Sequence, residues 1–274
     1  QGFNSTLPLC TDELLVTFNM NSSPIAASFP FISAERTSDS GILYGINRHN
    51  NSLILFDRFS LQNANMVVFA TSGAGKSYAI KLEILRTMMM GVDVIVIDPE
   101  MEYKHLADAV GGTYINISLS SESKINPFDL PRPVGGEEFS TEDIIRGAVI
   151  TVKGLLRIML GTMTTEQDSI IDRALIETYA KKDITPEADL NVVQPPIIQD
   201  LQEILEGMEG SGDLVLRLQK YTQGTFSGLF NSPTNVDMKN QLVVFSVRDL
   251  EDELRPMAIY AIINYIWNVV RSEK

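Results

Sequence analysis

The sequence predicts an α/β fold in which a predominantly parallel sheet carries an inserted all-helical part and a small β-rich segment at its N-terminus. Three observations support this prediction. An apolar run, a glycine-rich loop, a helical pattern and a second apolar run follow one another over residues 66–98. Helical periodicity then fills residues 139–230. A short β-branched run at residues 241–246 returns the chain to the sheet.

Composition limits the classes of function. The chain has 274 residues, of which 44% are hydrophobic and 21% charged, and its formal net charge is −13. Such acidity argues against a surface built mainly for nucleic acid, although a local basic channel for DNA stays compatible with it. Cys10 is the single cysteine, which excludes an intramolecular disulfide or a cysteine metal site and suits a reducing compartment.

Residues 1–65 form the predicted β-rich segment, which we expect to pack on the core. Residues 14–20 are a short apolar run. Residues 41–47 and 52–57 flank a His-Asn-Asn turn signal, so a hairpin is expected there.

Residues 66–138 form the first part of the predicted core. Residues 66–70 (MVVFA) should be a strand, and residues 76–90 a helix that ends at Gly91, with Ile80, Ile84, Leu85 and Met88 on one face. Residues 92–98 (VDVIVID) are β-branched and do not alternate, which is typical of a fully buried parallel strand. Residues 113–117 form a weaker strand. The order strand, loop, helix, strand predicts a βαβ crossover.

Residues 139–230 are predicted to be an all-helical insertion. Periodicity covers residues 141–160, 165–182 and 197–208, with helix-start signals at residues 165–168 and 185–187. Residues 231–274 return to the core through the strand at 241–246 and a last helix that begins at Pro256. The apolar stretch in that helix is too short to span a membrane and predicts a buried helix.

The glycine-rich loop predicts a phosphate site. Residues 70–77 read ATSGAGKS, which matches the Walker A pattern G-x-x-x-x-G-K-[ST] except for Ala70 in its first position. Amides of the loop and of the helix start should form an anion cradle for ATP. Lys76 would reach the β- and γ-phosphates, and the Ser77 hydroxyl would hold Mg²⁺. The predicted nucleotide-binding residues are Thr71, Ser72, Gly73, Ala74, Gly75, Lys76, Ser77 and Tyr78.

Two acidic residues at the end of the second strand are candidates for catalysis beside Lys76. Asp98 could be the acid on the Mg²⁺ side of a Walker B strand. Alternatively, Glu100 resembles the acid just after this strand in RecA-type ATPases, which implies that it could polarise the attacking water. The structural alternative is that Asp98 only caps the turn before Pro99. The strand at 241–246 lacks the acidic pair that is typical of a Walker B strand. We therefore expect the sequence to end before its Walker B strand.

In combination these motifs resemble the ATPase domain of the conjugal-transfer and type IV secretion ATPases, the VirB-type and TraC/TrbE-like group within the HerA/FtsK branch of RecA-like motors. The order and spacing of short segments carry the resemblance. They are residues 29–31 (FPF), 41–47 (GILYGIN), 56–59 (FDRF), 63–65 (NAN), 98–103 (DPEMEY), 125–129 (INPFD), 217–218 (RL), 221–224 (YTQG), 229–231 (LFN), 233–235 (PTN) and 245–256.

The resemblance implies a RecA-like core and a motor that hydrolyses ATP with Mg²⁺ to power apparatus assembly or the transfer of DNA or protein. It also implies a homo-hexamer at the inner face of the cell membrane, in the cytoplasm, with other type IV secretion subunits as partners. Ring ATPases often complete each site with an arginine from a neighbour, and Arg217, Arg248 and Arg255 are the candidates. Two rivals remain: a DNA translocase or helicase of the HerA/FtsK type, and a nucleotide-gated scaffold with little hydrolysis.

Overall fold

A computed structural model describes residues 40–131 and 140–272 of the chain. The apolar run at residues 14–20, the segment at residues 29–31 and the insertion boundary at residue 139 lie outside the described residues. The chain divides into two compact units, one that ends at Val68 and one that begins at Phe69.

The described part of the first unit contains the predicted hairpin. Strand β1 (Ile42–Ile46) pairs antiparallel with β2 (Leu53–Phe56). Asn51 adopts a left-handed φ of 57°, which asparagine tolerates better than most residues, and its N–H donates to the carbonyl of Asn47 at 2.8 Å. A short 3₁₀ turn, Arg58–Ser60, follows the hairpin.

The second unit contains a three-stranded parallel sheet. Its strands are β3 (Val94–Asp98), β4 (Thr113–Asn116) and β5 (Leu242–Ser246), in the spatial order β3-β5-β4. The last strand in the chain is therefore the central one of the described sheet, and all five of its residues are buried. This arrangement confirms the predicted α/β fold with a parallel sheet.

Two strand predictions were wrong in detail. Residues 66–70 form no strand, because none of the described strands pairs with them; Val67 and Phe69 are 75% and 90% exposed. The core sheet of the described residues thus has three strands and not four. Strand β3 is only half-buried before Asp98, since its one partner there is β5 and it lies at the edge of that sheet.

Helices cover both faces of the sheet. On one face, helices α1 (Lys76–Met88) and α2 (Lys104–Val110) pack through Ile84 and Ala107 against Leu242 and Val244. The alternate residues of β5, Val243 and Phe245, point to the other face and join a larger apolar cluster with the helical part. This alternation is the two-residue period of a strand.

The helical part contains the three predicted helices, with differences at their ends, and two further helices that the periodicity did not predict. Its helices are α3 (Thr141–Leu160), α4 (Thr165–Ala180), α5 (Ile198–Glu206), α6 (Gly212–Thr222) and α7 (Ser227–Phe230), and α8 (Arg255–Ser272) follows β5. Thr164 and Gln167 form a capping box at the start of α4. The helix start expected at residues 185–187 was wrong: the Ala188 N–H donates to the Thr185 carbonyl at 2.9 Å in a turn.

Two motif segments on either side of the helical part are hydrogen-bonded to each other. The Lys124 N–H donates to Asn235 Oδ1 at 2.7 Å, and the Asn126 N–H donates to Thr234 Oγ1 at 2.7 Å. Asn126 is buried, and its Nδ2 donates to the Pro196 carbonyl at 2.9 Å. Residues 124–126 and 234–235 are therefore joined where the chain leaves the sheet for the helical part and where it returns.

No helix among the described residues is both long enough and apolar enough to cross a bilayer.

Candidate nucleotide-binding site

The glycine-rich loop has a backbone that only glycine adopts readily at two positions. Gly73 and Gly75 have φ angles of 77° and 87°, in the left-handed region. Between them, the Ala74 N–H donates to the Thr71 carbonyl at 3.1 Å and closes a tight turn. A Cβ atom built on either glycine meets no atom within 4 Å, so open space lies beside both.

The loop ends at the start of helix α1. Gly75 is the N-cap and offers no side-chain cap, and the helix begins at Lys76. The Ala79 N–H donates to the Gly75 carbonyl at 2.9 Å as the first bond of the helix. The preceding N–H groups have no partner of this kind, because every α-helix leaves its first amides unpaired. These amides and the positive end of the helix dipole suit an anion such as phosphate.

The side chains of the predicted nucleotide-binding residues lie at or near the surface of this loop. Lys76 is exposed, Ser77 is half-buried and Tyr78 is 69% exposed. Thr71, Ser72 and Ala74 are exposed as well. The site is therefore open to a ligand, and the residue types fit a nucleotide phosphate with its Mg²⁺: two glycines without a Cβ, one ammonium and one hydroxyl.

Asp98 organises the loop that follows strand β3. The residue is buried, with 2% of its surface exposed. Oδ1 accepts a hydrogen bond from the Glu100 N–H at 3.2 Å, and Oδ2 accepts one from the Tyr103 N–H at 2.8 Å. This geometry favours the alternative in which Asp98 caps the turn. Glu100 lies exposed on the same loop, at the carboxyl edge of the sheet where ligands of α/β proteins bind.

Arg248 also holds this loop. The sequence predicts Arg248 only as a candidate arginine for the site of a neighbouring subunit. Its Nη1 donates to the Glu100 carbonyl at 2.7 Å across 148 residues of sequence. The contact follows from the pairing of β3 with β5, which brings the ends of both strands together. No local pattern in the sequence signals it, because the two strands are joined only by tertiary structure.

Tyr103 links the same loop to helix α1. The ammonium of Lys81 on α1 lies 5.3 Å from the centre of the Tyr103 ring, a cation–π contact. Burial, together with the charges of Glu102 and Asp98, raises the pKa of the Tyr103 hydroxyl. The contact places the start of α2, and with it the end of the acidic loop, beside helix α1.

The other two candidate arginines make contacts within their own chain. Arg217 on α6 donates from Nη1 to the carbonyls of Leu160 and Thr162, both at 3.1 Å, and so caps the end of α3. Arg255 pairs with Asp252 at 2.7 Å. Both guanidinium groups thus stabilise local structure.

These features define an α/β protein with a large helical part and a glycine-rich loop that leads directly into a helix. The chain belongs to the family described as Helicase HerA, central domain, whose model matches residues 54–259.

Two relatives are more specific. The chain is 25% identical over 257 residues to Protein TraC of Escherichia coli (strain K12), and the alignment covers 89% of this chain and 28% of TraC. It is also similar to the solved structure of VirB4 of Thermoanaerobacter pseudethanolicus, with a TM-score of 0.77 and 29% identity over 87% of this chain and 65% of that one. These matches confirm the resemblance to the VirB-type and TraC-like group. The chain spans less than a third of TraC and about two thirds of the VirB4 chain.

Proposed function

We propose that this chain is the ATPase motor part of a type IV secretion or conjugative transfer machine. ATP hydrolysis would drive assembly of the apparatus or transfer of its DNA or protein substrate. Family membership and the similarity to TraC and VirB4 support the class of machine. The observation that carries the proposal is the open, left-handed turn at Gly73 and Gly75, which leads directly into helix α1.

Within this proposal, each residue of the site has a separate task. The amides of residues 73–77 and the Lys76 ammonium hold the β- and γ-phosphates. The Ser77 hydroxyl binds Mg²⁺, which would neutralise charge on the phosphates. Glu100 orients and polarises the attacking water. Asp98 fixes the loop that carries Glu100, in keeping with its two bonds to backbone N–H groups.

The proposed working form is a homo-hexamer in the cytoplasm at the inner face of the cell membrane, with other type IV secretion subunits as partners. In ring motors a subunit often completes the nucleotide site of its neighbour by supplying an arginine.

A second candidate function is DNA translocation or unwinding of the HerA type, which the family description favours. The net charge of −13 speaks against extensive DNA contact. Binding of duplex DNA that weakens steeply with salt would support this alternative. A nucleotide-gated scaffold would instead bind ATP tightly and turn it over very slowly.

The test of the proposed function compares wild type with Lys76→Ala in the intact natural protein. We expect affinity for Mg²⁺-ATP, measured by calorimetry, to fall by about tenfold or more, because a charge-assisted bond to phosphate contributes about 1.5–3 kcal/mol. Hydrolysis, measured as phosphate release, should be lost.

The matched control is Lys81→Ala, five residues further along the same helix, which removes an equal charge from a lysine that contacts Tyr103. It should leave ATP affinity close to wild type. Unchanged affinity in Lys76→Ala would contradict the phosphate site itself.

A further inference from the structure

The peptide groups on both sides of Glu100 are held by side chains from two different strands. Asp98, at the end of β3, accepts from the Glu100 N–H at 3.2 Å. Arg248, just beyond β5, donates to the Glu100 carbonyl at 2.7 Å. The carboxylate of Glu100 makes neither of these bonds and lies exposed. Both bonds therefore act on the backbone and leave the side chain to meet a ligand.

The residue after Glu100 shows that this backbone is tightly specified. Met101 has a left-handed φ of 62°. Such a conformation costs a residue with a side chain about 1–2 kcal/mol, and it persists only where the surrounding structure enforces it. The Glu100 carbonyl belongs to the peptide that joins the two residues. The guanidinium of Arg248 consequently helps to fix the peptide that aims Glu100.

The backbone of Arg248 is itself held by the first residue of helix α8. Its carbonyl accepts a hydrogen bond from Nη2 of Arg255 at 3.2 Å, and Nη1 of Arg255 pairs with Asp252 at 2.7 Å. Arg255 is the first residue of α8, which packs against α3 of the helical part through the Tyr260 hydroxyl and the Thr151 carbonyl at 3.1 Å. A continuous series of contacts therefore runs from the helical part to Glu100.

We propose that Arg248 is a positioning residue for ATP hydrolysis that acts within its own chain. It holds the Glu100 carbonyl so that the carboxylate meets the attacking water, and it is not an arginine supplied to a neighbour's site. This inference rests on the proposed function, because it requires Glu100 to act on the water.

The first test compares Arg248→Ala with Arg248→Lys in the intact protein. Misplacement of a catalytic group by about 1 Å costs up to 100-fold in rate, so we expect kcat of Arg248→Ala to fall about 10- to 100-fold. The Kd for Mg²⁺-ATP should change by less than about twofold, since the phosphate loop is untouched. Lysine can donate one bond to a carbonyl, and Arg248→Lys should recover most of the lost rate. A large change in Kd, or no recovery with lysine, would overturn the proposal.

A double variant separates action through Glu100 from a general structural effect. If Arg248 acts through Glu100, then Arg248→Ala lowers kcat in the wild-type background but adds nothing to Glu100→Gln. Additive losses would overturn the proposal. Arg217→Ala is the matched control, because it removes a guanidinium that also bonds to carbonyls, but at the end of α3. It should leave kcat near wild type.

Mixed oligomers decide between action within the chain and action on a neighbour. Arg248→Ala subunits keep Lys76, and Lys76→Ala subunits keep Arg248. If Arg248 served a neighbour's site, a mixture of the impaired Arg248→Ala and the inactive Lys76→Ala would hydrolyse ATP faster than either variant alone. Action within the chain predicts no recovery, because every site with Lys76 then lacks its own Arg248.

A readout that needs no turnover keeps this inference distinct from the proposed function. Hydrogen exchange of the peptide covering residues 98–103 should speed up in Arg248→Ala and stay at the wild-type rate in Arg217→Ala. Absent ATP hydrolysis by wild type would refute the proposed function. Unchanged exchange in Arg248→Ala would refute the positioning role by itself.

Discussion

At Gly75 a requirement of the backbone conformation coincides with the proposed binding of phosphate. Its φ of 87° disfavours any side chain, and the space where a Cβ would lie is empty to 4 Å. A substitution there consequently meets no steric clash with the protein itself. We expect its effect on stability to come from backbone strain alone, and its effect on binding to come from a methyl group in the space proposed for the phosphate.

Gly75→Ala and Gly111→Ala form a matched pair that separates these two effects. Gly111 ends helix α2 with a φ of 69°, and a Cβ there also meets nothing within 4 Å. Both variants should lose about 1–2 kcal/mol of unfolding free energy in urea, the cost of left-handed backbone for alanine. Only Gly75→Ala should lose affinity for Mg²⁺-ATP, measured by calorimetry. Equal affinities in the two variants would place the phosphate elsewhere.

The conformation of the glycine-rich loop could be predicted from sequence because it is local, whereas phosphate binding there stays a prediction. Left-handed glycines, a helix start and a lysine lie within a few neighbouring positions, and each has its own physical requirement. The bond from Arg248 to Glu100 could not be predicted, because it joins residues 148 positions apart and depends on which strand pairs with β3. Asp98 was predicted as an important position, but its task depends on N–H groups whose direction only the folded loop fixes.

At the scale of elements, periodicity predicted helices better than strands. A helix completes its hydrogen bonds within one segment, and the pattern of α3 and α4 accordingly sufficed to find them. A strand completes its bonds only with a neighbour. Residues 66–70 have the composition of a strand but pair with none of the described strands, and so their backbone stays irregular.

Ion pairs join α3 to α4 and give this contact a pH dependence. Hydrogen bonds from Arg157 and then Lys153, both at 2.9 Å, lower the pKa of the Asp168 carboxyl below its ordinary value. A carboxyl with a lowered pKa in the folded state stabilises the protein above its unfolded pKa of about 4. That contribution is lost as the pH falls through the folded pKa.

Asp168→Asn should therefore lower stability at pH 7 by about 0.5–1 kcal/mol, the typical contribution of partly exposed ion pairs. The difference from wild type should persist down to about pH 5 and shrink below about pH 4. Urea unfolding at pH 7, 5 and 3 measures this difference in stability. The control is Glu187→Gln, a substitution at an exposed residue of a turn. A difference that grows on acidification would contradict the sign of the pKa shift.

At the scale of the unit that begins at Phe69, the sheet and the helical part share one hydrophobic core. Val243 and Phe245 of β5 belong to the same cluster of buried side chains as Leu155 of α3, Leu175 of α4 and Leu201 of α5. The ring of Phe245 packs edge-on against Tyr265 of α8, with centroids 6.4 Å apart. Since neither part buries its apolar surface alone, we expect them to unfold together.

Leu201→Ala and Leu216→Ala test this expectation as a matched pair. Leu201 on α5 is completely buried, whereas Leu216 on α6 is 67% exposed. Leu201→Ala should cost about 2–5 kcal/mol, and Leu216→Ala about 0.5 kcal/mol or less. If the core is shared, Leu201→Ala should lose protection equally in the peptides that cover α4 and β5. Hydrogen exchange under native conditions measures this protection. If β5 kept its wild-type protection while α4 lost it, the sheet and the helical part would be separate folding units.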